Sequence, residues 1–459
     1  MKDSKYSYGL MTDLYELTMA AGYFTHHCEQ SASFELFVRR LPVARNYLLV
    51  AGIESALNYL ADLRFTNQEI DYLHGLTVFQ NVGKEFFEYL REFRFTGDVW
   101  AMPEGTLAFA DEPILRVTAP IIQAQIVETY LLTEINFQTM IATKASRVVK
   151  AAREDDKERP VFEFGARRAH GSVAGVWAAR SAYLGGCAGT SDMAAGIQFD
   201  IPVFGTAAHS WTLAFDSEPE AFEKFYQVFP HTCTLLIDTY DTLDGAEHAA
   251  RIGPGLKGVR IDSGNMLEDS KKVRKILDQA GLQNTKIVAS GDLNEYKISE
   301  LIRNGAPIDV FGVGTDLSTS RDAPALGGIY KMVERTSADG VRHFTAKFSH
   351  NKFTWPGNKQ VFRHYDDENV YQGDTIGLAE EIAPTQSAPL LVEMVQSGKR
   401  IMFDDLETAR KRAALELTRL EEKYQRLNSP AQYPVRHSTA LEKLLEQVKK
   451  ETMAKAASR

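Results

Sequence analysis

Gly258-Val259-Arg260-Ile261-Asp262-Ser263-Gly264-Asn265, the run Met266–Ala280 and Lys286-Ile287-Val288-Ala289-Ser290-Gly291-Asp292 follow closely on one another along the chain. The outer pieces are short, rich in Val and Ile and bounded by Gly, as buried parallel strands are. The middle piece has helical periodicity. Strand, polar turn, helix and strand together predict a parallel sheet. The pattern recurs at Val161–Gly165 into Ala166-Arg167-Arg168 and at Ile201–Gly205 into Thr206-Ala207-Ala208-His209-Ser210. It returns at Thr234–Ile237 into Asp238-Thr239-Tyr240-Asp241 and at Ile308–Val313 into Gly314-Thr315-Asp316, with a further helical run at Leu293–Arg303. An α/β barrel or a doubly wound sheet places its chemistry at such strand ends. Here the turns combine Asp or His with Gly and Ser, which points to an enzyme acting on a phosphate-bearing substrate.

Working outward, residues 12–25 read as a helix capped by Thr12 or Asp13, with Leu14, Leu17, Thr18 and Ala21 on one face. Ser33–Arg39 alternates as a half-buried strand, and Ile53–Leu63 and Lys84–Phe93 read as helices. Gly97–Pro120, broken by Pro and Gly, predicts short antiparallel strands. Gln123–Ala152 reads as one long helical region, apolar on more than one face. Gly328–Glu334 and Val341–Phe348 flank a hairpin turn, and Asp404–Gln425 and Thr439–Lys455 are charged helices. The expected division is 1–140 as an α+β flanking domain, 141–330 as the catalytic α/β domain, and 331–459 completing the flanking domain.

A chain of 459 residues exceeds one compact core. Its 44% hydrophobic and 25% charged content is ordinary for a globular protein. A net charge of −9 argues against nucleic-acid partners and a basic membrane-surface role. Cys28, Cys187 and Cys233 lack CxxC spacing, which fits a reducing compartment. With no signal-peptide core and no long apolar window, the expectation is cytoplasmic.

His209 stands among small residues that let a ligand approach. A lone histidine is more often a structural hydrogen-bonder, but a strand-end position beside Gly and Thr favours chemistry. Its neutral ring can act as base, proton donor or phosphoryl acceptor. Asp238 and Asp262 end neighbouring strand candidates. Two such carboxylates can hold Mg²⁺ on a pyrophosphate, orient an imidazole, or stabilise positive charge on a sugar. The competing reading is that Asp262 and Ser263 cap the helix starting near Met266. Arg260 shares the strand face of Asp262. The glycines of Ser263-Gly264-Asn265, Ser290-Gly291-Asp292 and Gly312-Val313-Gly314-Thr315 can expose N–H groups to a phosphate. None forms a P-loop or dinucleotide fingerprint, which favours a sugar 5-phosphate. Tyr15, Phe164 and Arg167 could sandwich a planar ring and pair with an anion, although Tyr15 alone reads as core or interface.

These segments resemble nicotinate phosphoribosyltransferase over nearly the whole chain. The likeness is carried by Thr12-Asp13-Leu14-Tyr15, Glu163-Phe164-Gly165-Ala166-Arg167-Arg168, Gly205–Trp211, Arg260-Ile261-Asp262-Ser263-Gly264 and Phe311-Gly312-Val313-Gly314-Thr315. It implies an irregular α/β barrel of the type II phosphoribosyltransferase kind, with a flanking α+β sandwich-like domain and a homodimer sharing its active sites. It implies that nicotinate and phosphoribosyl pyrophosphate become nicotinate mononucleotide and pyrophosphate with Mg²⁺, in NAD salvage. ATP hydrolysis would be coupled through a phosphohistidine.

Carried over by position, His209 would be phosphorylated, with Asp238 and Asp262 beside it and the ribose and holding Mg²⁺. Phe164 would stack on the pyridine, with Tyr15 of the partner subunit opposite. Arg167 and Arg260 would meet anionic groups. Gly264, Gly291, Gly312, Gly314 and Thr315 would lie at the 5-phosphate. Two positions depart from the family pattern: Asn351 stands where glycine is expected in Lys347–Gly357, and Asn265 where Asp is common.

The rival base is nicotinamide. A carboxamide wants an acidic acceptor, whereas a carboxylate wants donors. Where nicotinamide-using relatives carry Asp after Gly-Thr, this chain has Ser191, with Asp192 one place later, which favours nicotinate. A ligand-sensing barrel without turnover is disfavoured by the intact His209, Asp238 and Asp262. A Schiff-base aldolase is disfavoured because Lys144 and Lys150 fall in the long helix.

Overall fold

The computed structural model describes residues 8–348, 353–428 and 430–457. Contacts group the chain into two units, Met140–Pro324 and the chain on either side of it.

The Met140–Pro324 unit is built on six strands: β1 (Val161–Glu163), β2 (Gly189–Thr190), β3 (Thr234–Leu236), β4 (Gly258–Ile261), β5 (Lys286–Ala289) and β6 (Val310–Val313). All pair in parallel, in the order β2-β1-β6-β5-β4-β3. The first strand therefore lies beside the last, and every other pair joins chain neighbours. That is barrel order, not the order of a doubly wound sheet. The barrel is irregular. The expected strand Ile201–Gly205 contributes only a parallel bridge from Val203 to Thr190. The Thr190 N–H donates to the Pro202 carbonyl at 3.0 Å and the Phe204 N–H to the Thr190 carbonyl at 2.9 Å. Pro202 has no N–H with which to continue a ladder.

The long helix Glu128–Ala152 brings buried cations into this unit. Arg147 Nε lies 3.1 Å from Glu295 Oε1 and Lys144 Nζ 2.9 Å from Asp322 Oδ1. These pairs tie the helix to Glu295–Arg303 and to the segment after β6. Removing one partner of a buried pair costs roughly 3–5 kcal/mol.

The other unit holds a seven-stranded sheet whose centre is Ser31–Val38, between Gly328–Thr336 and Pro113–Pro120. A four-stranded sheet runs Ser387–Pro389, Lys359–Tyr365, Tyr371–Leu378, Val435–His437. The buried Glu35 joins the sheets: its Oε1 accepts the Lys359 N–H at 2.8 Å and its Oε2 lies 2.8 Å from Lys359 Nζ. Expectations change here in four places, the first being that Asp404–Gln425 is two helices, Leu406–Arg419 and Glu422–Gln425, rather than one. Ser31–Val38 is buried on both faces rather than half-buried, because it is paired on both edges and Lys359 neutralises Glu35. The region 123–152 is two helices, Ile121–Ile126 and Glu128–Ala152, separated at Val127. Helix Leu14–Thr25 has Asp13 at its N-cap without a side-chain cap bond, since that carboxylate accepts the Thr129 hydroxyl at 3.0 Å; Leu14 is exposed. Asn351 lies outside the described residues.

Candidate active site

Adjacent strands β3 and β4 set Asp238 and Asp262 at neighbouring ends, and parallel pairing of β4 with β5 brings in Ser290. Asp238 Oδ2 accepts the Asp262 N–H at 3.0 Å and the Ser263 hydroxyl at 2.6 Å. Its Oδ1 is buried without a hydrogen-bond partner among the described residues. Asp262 caps no helix; Asn265 does, accepting the Glu268 N–H.

Arg260 closes a ring of contacts. Its Nη2 donates to Asp262 Oδ1 at 2.6 Å, its Nε to Ser290 Oγ at 2.7 Å and its Nη1 to Thr206 Oγ1 at 2.9 Å. The Ser290 hydroxyl also donates to Asp262 Oδ1. Burial opposes the Asp262 charge, but Ser290, Arg260 and nearby His209 together hold its carboxyl below the usual range. His209 begins the helix His209–Leu213, with Nδ1 3.2 Å from the Thr239 hydroxyl.

The Arg260 guanidinium carbon lies 5.7 Å from the centroid of the Phe164 ring. That ring occupies the space over Gly312, where a Cβ would come within 2.3 Å of Phe164 Cε2. Gly312 thus lies inside β6 as a seat for an aromatic plate. Phe204 is parallel to Phe164 within 1°, with centroids 6.2 Å apart. Arg167 and Ser191 are exposed on the turns after β1 and β2. Asp192 caps Met193–Phe199, its Oδ1 accepting from the Ala194 and Ala195 N–H groups.

A cavity of about 750 Å³ opens between the turns after β4 and β5, lined by Asp262, Ser263, Gly264, Gly291, Asp292 and Lys297. Gly264 and Gly291 both have positive φ, 83° and 86°. Gly314 and Thr315 start a short helix after β6.

The unit thus brings together His209, Asp238, Asp262, Arg260, Phe164 and the glycine turns at strand ends. Tyr15 belongs to the other unit, on the first turn of Leu14–Thr25; burial first, and then Glu128, raise its pKa. Thr206, Ser290, Thr239 and Phe204 hold site residues in place without having been singled out in the sequence. Among the described residues no group of three or more His, Cys, Asp or Glu could hold a metal ion, and no helix is long and apolar enough to cross a membrane.

Three family models match in register: the nicotinate phosphoribosyltransferase N-terminal domain at residues 10–136, the family's own model at 160–332 and the C-terminal domain at 381–445. A nicotinate phosphoribosyltransferase of Mycobacterium tuberculosis is 48% identical over 398 residues, covering 85% of this chain and 82% of that protein. One from Bacillus subtilis is 40% identical over 462 residues, covering 94% and 92%. The crystal structure of human nicotinic acid phosphoribosyltransferase superposes with a TM-score of 0.83 at 28% identity, covering 96% of this chain and all of that one. The chain belongs to the nicotinate phosphoribosyltransferase family.

Proposed function

We propose that this chain transfers the phosphoribosyl group of phosphoribosyl pyrophosphate to nicotinate, releasing pyrophosphate and forming nicotinate mononucleotide. The observation that carries this reading is the Phe164 plate against Arg260, whose guanidinium is bonded to Asp262 at the end of its own strand, β4. In this reading 141–330 is the catalytic domain, flanked by 1–140 and 331–459. Phe164 supports the pyridine ring, and Arg167 and Ser191 donate to its carboxylate. A carboxamide would need an acceptor, whereas the exposed Arg167 and Ser191 offer donors, which supports nicotinate over nicotinamide.

As pyrophosphate leaves, positive charge grows at C1 of the ribose, and the Asp238 and Asp262 carboxylates stabilise it. The glycine turns at Gly264, Gly291 and Gly314–Thr315 hold the 5-phosphate. The unpartnered Asp238 Oδ1 suits Mg²⁺, with Asp262 beside it; two carboxylates leave the remaining ligands to pyrophosphate oxygens and water. Bound there, Mg²⁺ would supply charge neutralisation of the leaving group. His209 accepts the γ-phosphoryl of ATP on Nε2, because Nδ1 faces Thr239, and water later releases it as phosphate. The enzyme works in the cytoplasm as a homodimer in which Tyr15 of the partner subunit covers the ring. Cys28, Cys187 and Cys233 form no disulfide among the described residues, in keeping with a reducing compartment.

The test is pyrophosphate release with nicotinate and nicotinamide side by side, each with and without ATP. Release with nicotinate, stimulated by ATP only when His209 is present, is expected. Release with nicotinamide alone would overturn the role given to Ser191.

A further inference from the structure

We infer that Glu163 is a positioning residue that locks the turn carrying Phe164 and Arg167 to the turn carrying Ser191, and so sets the affinity for nicotinate. The inference rests on those turns being the nicotinate site. Glu163 ends β1 and is fully buried. Its Oε1 accepts the Gly165 N–H, at the head of the arginine turn. Its Oε2 accepts the Thr190 hydroxyl at 2.7 Å, and its carbonyl accepts the Ser191 N–H at 2.9 Å. Thr190 Oγ1 in turn accepts the Asp192 N–H at 3.0 Å. One residue thereby fixes two turns that lie 27 residues apart along the chain.

A third strand end closes over the same point. A Cβ on Gly165 would come within 2.3 Å of Ser318 Oγ and 2.7 Å of Glu163 Oε1. The buried Ser318, after β6, has no hydrogen-bond partner for its hydroxyl among the described residues. Packing alone would be served by an apolar side chain, because burying a carboxyl is costly. Burial pushes the Glu163 carboxyl up to about 7, against the bonds from Thr190 and Gly165, and Asp192 adds a like charge. A costly group at this point makes sense if its two acceptors are needed to hold the two turns in register.

The experiment is steady-state kinetics of full-length E163M, E163Q and T190V, with nicotinate and phosphoribosyl pyrophosphate varied in turn and melting temperatures recorded. E163M leaves two donors unmet. It should raise KM for nicotinate about tenfold or more while KM for phosphoribosyl pyrophosphate and kcat stay within about twofold. E163Q keeps an acceptor for Gly165, and the Thr190 hydroxyl can accept from its amide, so it should recover KM to within about threefold. T190V removes the bond to Glu163 Oε2 and the acceptor of the Asp192 N–H but leaves the Gly165 link, and it should raise KM for nicotinate, which decides the matter if E163M does not fold. An unchanged KM for nicotinate in folded E163M or T190V overturns the inference. So does a parallel loss in both KM values and kcat, which marks a merely structural residue. No release by the wild type with nicotinate overturns the functional reading beneath it, a result separable from any variant's.

Discussion

The main-chain carbonyl of Asp262 stands where a side chain at Gly291 would begin: a Cβ there would lie 1.8 Å from that oxygen. The turn after β5 therefore passes against the turn after β4, with the 750 Å³ cavity opening beside both.

Gly291→Ala must push the two turns apart as well as hold a side-chain-bearing residue at φ 86°. The backbone term alone is of order 1 kcal/mol. A displacement near 1 Å at a reacting centre can cost about a hundredfold in rate. The expected outcome is a loss of about that size in kcat/KM for phosphoribosyl pyrophosphate, read by initial rates, with the melting temperature falling by only a few degrees.

Arg260→Lys keeps the charge and loses the fork. The guanidinium bonds Asp262, Ser290 and Thr206 through three different nitrogens, and an ammonium cannot span all three. Asp262 then loses part of what holds it ionised, and Phe164 loses the flat cation behind it. Initial-rate assays should show kcat/KM lower by about a hundredfold, with Ser290→Ala several-fold milder.

The strand ends were legible because a strand buried on both faces is a short, mostly apolar run, and β3 to β6 are such runs that break into polar or glycine residues. The two-residue β2 leaves no pattern to see. Ile201–Gly205 had the pattern, but Pro202 limits it to a bridge. Asp262 alone could have been a helix cap; the structure gives that role to Asn265. The hydroxyls of Thr206, Ser290 and Thr239 carried no signal, since each meets its partner 30 or more residues away along the chain. Only the parallel register of β4 and β5 reveals that Ser290 belongs to Arg260.

Lys359→Met leaves the buried Glu35 carboxylate without its ion-pair partner between two sheets. Destabilisation of roughly 3–5 kcal/mol is expected by denaturant titration. The double variant Glu35→Met with Lys359→Met should regain most of it, because neither desolvated charge remains. A double variant as unstable as the single one would assign the loss to the Lys359 bonds with the Trp355 and Gly357 carbonyls instead.

His437 makes the acid limit of stability testable. Its ring stacks on Trp355 at 3.8 Å, with Nε2 buried and without a hydrogen-bond partner among the described residues. Burial, and then the Lys359 charge, lower its pKa from 6.5 to about 4. The unfolded chain thus binds a proton at His437 that the folded chain refuses. Stability from this site is full above pH 6.5 and is lost as pH falls from 6.5 towards 4. Discounted for partial exposure, the loss is about 1–2 kcal/mol. Glu163 and Glu16 act in the opposite sense. Burial raises both to about 7, so their neutral forms favour the fold as pH falls from 7 towards 4.5. His437→Phe keeps the stack and removes only the histidine's titration. Subtracting the wild-type stability profile from that of the variant cancels the two glutamates. The difference should be flat above pH 6.5 and rise in the variant's favour below it, whereas a flat difference down to pH 4 would mean that the folded protein admits the proton.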